Sequence, residues 1–105
     1  MDASFEAMIK AVEEWSSARG IDKADPAKQM LKLTEEVGEL AAGIVRNRKD
    51  MIYDAIGDVL VVMIILCQQL RIPMISALQI AYRQIKNREG ETVNGVFVKR
   101  EDLQK

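Results

Sequence analysis

Gln29-Met-Leu-Lys-Leu-Thr-Glu-Glu-Val-Gly-Glu-Leu40 is followed, across a short polar break, by Asp54-Ala-Ile-Gly-Asp-Val-Leu60. In the first stretch Met30, Leu33 and Val37, continued by Leu40 and Ile44, advance in alternating three- and four-residue steps. That is the narrow stripe of an amphipathic helix lying against another helix. Asp25-Pro26 ahead of it offers a capping carboxylate and a residue suited to the first helical position, so the helix is predicted from there to about Arg46. Asn47 to Lys49 supply a short polar turn, with Asp50 as the expected cap of a further helix that runs to about Arg71 before Pro73 breaks it. A turn this short makes the two helices antiparallel neighbours.

Outward from this pair, Phe5, Met8, Ile9, Val12 and Trp15 recur at helical spacing over about Ser4 to Ala18, with Gly20 as a stop. Beyond Pro73, Ile75, Leu78, Ile80, Ala81 and Ile85 support another helix ending near Asn87, with Gly90 just past it. In Thr92-Val-Asn-Gly-Val-Phe-Val98, Asn94-Gly95 stands between short apolar stretches, which signals a tight hairpin turn. The expected fold is therefore all-α: a single domain over 1–105, built as a four-helix bundle whose antiparallel central pair carries the acids, with a short irregular or hairpin C-terminal tail.

The chain has 105 residues, 49% hydrophobic and 30% charged, the profile of one small globular domain. At this size the core is modest and oligomerisation offers extra burial. A net charge of -1 and a pI near 5.5 give no long-range attraction to a nucleic acid polymer or to anionic lipid. The one cysteine, Cys67, ends the apolar run that starts at Val59, and reads as a buried, reduced thiol of a cytoplasmic protein. That run is less than half the roughly 20 residues of a membrane span, and the amino terminus lacks the pattern of a signal peptide.

The chemistry is concentrated in carboxylates. Glu35, Glu36 and Glu39 on one helix and Asp54 and Asp58 on the next use spacings that stack side chains along a face. Counted from the turn, Glu39 and Asp58 stand level, each roughly 12 Å up the hairpin. Two facing helices can thus supply one oxygen-rich site. For Glu35 and Glu39 a plain solvated face is the stronger reading of the pattern, since they lie opposite Val37 on the helical wheel. Asp58 is different, because Val61, Val62 and Ile65 surround its side of the helix, and a carboxylate expected on a buried side needs a cation or hydrogen bonds. A helix apolar all round also needs packing on several sides, which predicts a homo-oligomer. With no histidine in the chain, His-dependent triads, His-rich zinc sites and Glu-x-x-His di-iron sites are excluded. Hard oxygen ligands suit Mg²⁺ or Mn²⁺, and with them phosphate chemistry.

The two quoted stretches resemble the signature of MazG-like proteins, members of the all-α nucleoside triphosphate pyrophosphohydrolase superfamily. The resemblance extends from Trp15-Ser-Ser-Ala-Arg-Gly-Ile21 to Ile85-Lys-Asn-Arg-Glu-Gly90 and Asn94-Gly-Val-Phe-Val-Lys99. It implies a homo-oligomer, dimer or tetramer, that binds Mg²⁺ through a Glu-x-x-Glu and a Glu-x-x-Asp pair. Water attacks the α-phosphorus, and nucleoside monophosphate and pyrophosphate leave, a house-cleaning reaction on the nucleotide pool. Carried over, the first pair is Glu36 and Glu39 and the last aspartate is Asp58. The pattern breaks at position 55, where Ala stands in place of Glu and Asp54, on a neighbouring face, is the candidate replacement. Glu35 is an outer ligand or water-orienting group, or an exposed acid.

Lys32, one turn before Glu36, and Arg83, Lys86 and Arg88 near the end of the last helix are candidates to offset triphosphate charge, against the alternative of ordinary surface charge. Trp15 could stack on a base or serve packing, and Gln29 and Asn87 could hydrogen-bond the substrate. Two other functions fit the same scaffold: a noncatalytic helical oligomerisation or regulatory module that has lost part of its metal site, and a pyrophosphohydrolase acting on a non-nucleotide metabolite.

Overall fold

The structure, a computed structural model, describes residues 2–104. Four long helices, a hairpin and a short final helix divide near Met74 into two compact units. The first unit contains α1 (Phe5–Ala18), a 3₁₀ turn (Ile21–Lys23), α2 (Pro26–Val45) and α3 (Lys49–Leu70). The second contains α4 (Met74–Ile85), β1 (Gly90–Val93), β2 (Val96–Lys99) and α5 (Arg100–Leu103). The all-α class and the C-terminal hairpin are as the sequence predicts. No single helix among the described residues is long and apolar enough to cross a membrane.

The helix starts follow local chemistry. Ser4 Oγ accepts from the N–H of Ala7 at 3.2 Å, and the Asp25 carboxylate accepts from that of Ala27 at 2.9 Å with Pro26 in the first turn. The α2–α3 turn closes with Asn47 in the left-handed region, φ 54°, and the Arg48 N–H donating to Gly43 O at 2.9 Å. Here the expectation for Asp50 fails. The cap position belongs to Arg48, and Asp50 lies inside the first turn of α3. Its carboxylate is engaged by Arg48, whose Nε and Nη2 donate at 3.2 and 3.0 Å. A short turn that spends Asn47 on the left-handed residue starts the helix two residues earlier than a cap at Asp50 allows.

The α2–α3 seam differs from the predicted stripe. Gln29, Leu33 and Gly43 are buried on α2 with Glu36 and Leu40 half-buried, whereas Met30, Val37 and Ile44 are exposed. The packed face is thus rotated by one residue. The reason is proximity: a Cβ on Gly43 would stand 3.1 Å from Met51 Cβ, so the helices meet along the line that carries the small residue. Leu33, Val62 and Leu66 form the core, with Val59 and Met63 against it. The α1 and 3₁₀ elements are pinned to the end of α3 by amides: Gln68 Nε2 donates to Glu13 O and Ser17 Oγ, both at 3.1 Å, and Gln69 Nε2 to Ile21 O at 2.9 Å. Cys67 is half-buried, and burial, reinforced by the Glu13 charge, pushes its thiol pKa up, which keeps it protonated and unreactive.

α3 is enclosed all round over residues 62–69, each buried or half-buried, and is open along one side nearer its start. Ala55, Val62, Ile64, Ile65 and Leu66 are buried, while Tyr53 is 85% exposed and Ile56 and Leu60 lie open beside it. In the second unit the strands pair Gly90 with Lys99 and Val93 with Val96 around Asn94 (φ 51°) and Gly95 (φ 81°), the two positive-φ residues a two-residue hairpin turn requires. Arg100 closes this unit by donating its N–H to Glu89 O at 2.8 Å and pairing with the Glu89 carboxylate.

Candidate functional site

All five predicted acids line one cleft of about 360 Å³ between α2 and α3. Glu35, Glu36 and Glu39 come from α2, Asp54 and Asp58 from α3, and Met51 and Ala55 complete the wall. The helical repeat explains the set: Glu36 lies on the seam line with Leu33 and Leu40, and Asp58 follows Met51 and Ala55 at steps of four and three residues. Ala55 is only 3% exposed, so its methyl is a sealed part of the wall. Among the described residues no basic side chain lines the cleft.

Glu36 is half-buried, and the other four acids are exposed. That corrects the expectation for Asp58. Val62 and Ile65 are buried as predicted, but Val61 is exposed, and Asp58 lies at the cleft wall with its side chain open to water. Its cost of burial within this chain is therefore small.

As a donor set, the described lining of the cleft offers five carboxylates beside the thioether of Met51, a hard oxygen set that fits Mg²⁺ or Mn²⁺. Among the described residues no three such side chains already stand in the arrangement of a metal site, so the oxygens must draw together to hold one. One of them is already engaged: Lys32 Nζ stands 3.7 Å from Glu36 Oε1.

The remaining predicted residues lie elsewhere. Trp15, 48% exposed, does not line the acidic cleft. Its ring lies under the Arg19 guanidinium, 4.3 Å from the centroid, and Arg19 Nη1 also donates to Trp15 O at 3.1 Å. Gln29 is spent on packing, with Nε2 donating to Val62 O at 3.3 Å. Arg83, Lys86, Asn87 and Arg88 are exposed residues of the second unit. Asn87 and Arg88 line a cavity of about 510 Å³ within that unit, with Gln84, Glu89, Lys99 and Arg100 among its other walls. The sequence reading missed Met51 as part of the acidic cleft and Arg19 as the partner of Trp15. The four-residue spacing from Trp15 to Arg19 was the available signal for the latter.

Residues 24–93 match the family described as the MazG nucleotide pyrophosphohydrolase domain, a span that contains the whole acidic cleft. A solved crystal structure, that of the Bacillus-conserved MazG protein, a nucleotide pyrophosphohydrolase, superposes with a TM-score of 0.74 at 31% identity, covering 85% of this chain and 97% of that one. An uncharacterized 18.2 kDa protein from the rep-hol intergenic region of Haemophilus phage HP1 is 44% identical over 68 residues, 64% of this chain. That alignment spans 42% of the phage protein's length.

Proposed function

Because the chain belongs to the MazG nucleotide pyrophosphohydrolase family, we propose that it hydrolyses nucleoside triphosphates, NTP or dNTP, to nucleoside monophosphate and pyrophosphate at the α2–α3 cleft, with Mg²⁺ or Mn²⁺ as cofactor. The observation that carries this reading is the single cleft walled by five carboxylates from two facing helices. Glu36, Glu39 and Asp58 are the ligands, and Asp54 serves where Ala55 has no oxygen to give. When bound, the ion neutralises phosphate charge and makes water a better nucleophile. Glu35, exposed at the rim, orients the water and takes its proton as the water oxygen bonds to the α-phosphorus. The α–β bridging P–O bond breaks, and pyrophosphate leaves with the bridging oxygen.

Lys32, Arg83, Lys86 and Arg88 offset the triphosphate charge in this reading, Asn87 hydrogen-bonds the substrate, and the open face of Trp15 stacks on the base. The chain acts as one functional domain in a cytoplasmic homo-oligomer, dimer or tetramer, that clears surplus or noncanonical nucleotides without binding a nucleic acid polymer or a membrane. Support for self-association comes from the open side of α3, where Tyr53, Ile56 and Gly57 line an apolar hollow of about 330 Å³.

A second reading draws on Ala55. Its buried methyl stands in a wall otherwise rich in acids, which favours a helical oligomerisation or regulatory module with an impaired metal site. Pyrophosphate release from a panel of NTPs and dNTPs, with Mg²⁺ and with EDTA, separates the two when native protein is compared with Asp58→Ala. Release that needs both metal and Asp58 supports the enzyme. No release by folded native protein favours the module, or a substrate that is not a nucleotide.

A further inference from the structure

We infer that Lys32 is the resident counter-charge of the acidic cleft and sets its metal affinity by competing with the divalent cation for Glu36. This rests on the proposed metal-binding role of the cleft and goes beyond it in making the affinity a property of a residue outside the cleft wall.

Two observations carry it. The first is the ion pair, with Lys32 Nζ 3.7 Å from Glu36 Oε1. Among the described residues, Glu36 is the one acid of the five held in such a pair. It is also the least open to water: its side chain is 17% exposed, against 57% for that of Lys32. The second is that five carboxylates line one cleft while no three stand in the arrangement of a metal site. Side chains of an α-helix lean toward its N-terminus, so a glutamate paired with the lysine four residues earlier is drawn back along α2, away from Glu39 one turn ahead. Recruiting Glu36 to an ion shared with Glu39 and Asp58 therefore means breaking the pair.

Charge acts in the same direction. The ammonium relieves repulsion among acids at three- and four-residue spacings and repels an arriving dication. Its site on the exposed side of α2 lets it withdraw into water when displaced, so the competition is reversible and modest.

The test is calorimetric titration of MnCl₂, without nucleotide, into native protein, Lys32→Gln, Lys32→Arg, Glu36→Gln and the Lys32→Gln/Glu36→Gln double variant, with circular-dichroism melts to confirm folding. Lys32→Gln should bind Mn²⁺ about two- to fivefold more tightly, the range an exposed ion pair permits. Lys32→Arg should stay near native, Glu36→Gln should bind more weakly, and Lys32→Gln should add little to Glu36→Gln. If Glu36→Gln weakens Mn²⁺ binding while Lys32→Gln leaves it unchanged or weaker, the competition is overturned and the metal site stands. If Glu36→Gln binds Mn²⁺ as native protein does, Glu36 is no ligand and both readings fall.

Discussion

Gln29 is joined to Val62 across the α2–α3 seam: its buried side-chain amide donates to the Val62 backbone carbonyl at 3.3 Å. Gln29 lies two turns before Glu36 on α2, and Val62 one turn beyond Asp58 on α3. The bond thus fixes the axial register of the two helices that supply the carboxylates. Gln29→Ala removes both the bond and the packing of the stem, and should destabilise the protein by about 1–2 kcal/mol. Urea denaturation measures this. A loss below about 0.5 kcal/mol would assign register to the apolar core alone.

Gly43 and Gly38 lie on the same helix and should respond in opposite ways. A Cβ at Gly43 would meet Met51 Cβ at 3.1 Å and the Ile52 backbone nitrogen at 3.2 Å, whereas one at Gly38 meets nothing within 4 Å. Gly43→Val should therefore cost about 1–3 kcal/mol by forcing the helices apart. Gly38→Ala should gain up to about 1 kcal/mol from helix propensity. Thermal melts of both variants at one protein concentration test the contrast.

If the cleft holds the metal, Glu36→Gln, Glu39→Gln and Asp58→Asn should each lower Mg²⁺-dependent pyrophosphate release by about a hundredfold or more, with the helical circular-dichroism signal unchanged. Asp54→Asn should raise the Mg²⁺ concentration needed for half-maximal turnover. Unchanged Mg²⁺ dependence in that variant removes Asp54 from the ligand set.

Ala55→Glu places a fourth long carboxylate in the wall of the cleft, at a position 3% exposed. In EDTA the added charge should lower stability by about 1–3 kcal/mol, since a carboxylate there is partly stripped of water. Excess Mg²⁺ should recover much of that loss by coordination. Melting curves with and without the ion, compared with those of Ala55→Gln, isolate the charge.

Arg48 holds the carboxyl of Asp50 below its ordinary value of 3.8, first through their side-chain hydrogen bonds, with the Met51 backbone N–H adding to the effect. A carboxyl depressed in the folded state binds fewer protons there than in the unfolded chain. Its stabilisation is therefore present above 3.8 and is lost as pH falls through the depressed value. An NMR titration should place the Asp50 midpoint below 3.8 in native protein and return it toward 3.8 in Arg48→Gln. Exposure of both groups makes the difference shrink with added salt.

Most element boundaries were legible because they rest on local chemistry. Ser4, Asp25-Pro26, Pro73 and Asn94-Gly95 each do in the structure what their backbone preferences dictate. The five acids were legible as a group because the helical period and a short turn suffice to bring them to one cleft. The rotation of the seam was not. Counting large apolar residues selects Met30, Val37 and Ile44, but close packing selects the line with Gly43 on it, and nothing in the period of α2 alone reveals how near α3 approaches. The openness of Asp58 escaped for a related reason: a wheel ranks the sides of one helix, while exposure depends on how much of each side another element covers.

From Glu35 to Asp58 the cleft is written in one unbroken stretch of chain, folded back at residues 46–48. Pairing of this kind closes only a short loop, so its entropic cost is small and its formation rapid. The joining of α1 to α3, by contrast, waits on partners as distant as Glu13 and Gln68. The loop lengths predict that the hairpin that carries the acids forms before α1 docks onto it. Destabilising changes in α1 should then speed unfolding and leave the folding rate nearly untouched, whereas a change at Gln29, Gly43 or Val62 slows the first step and, with it, the appearance of the site.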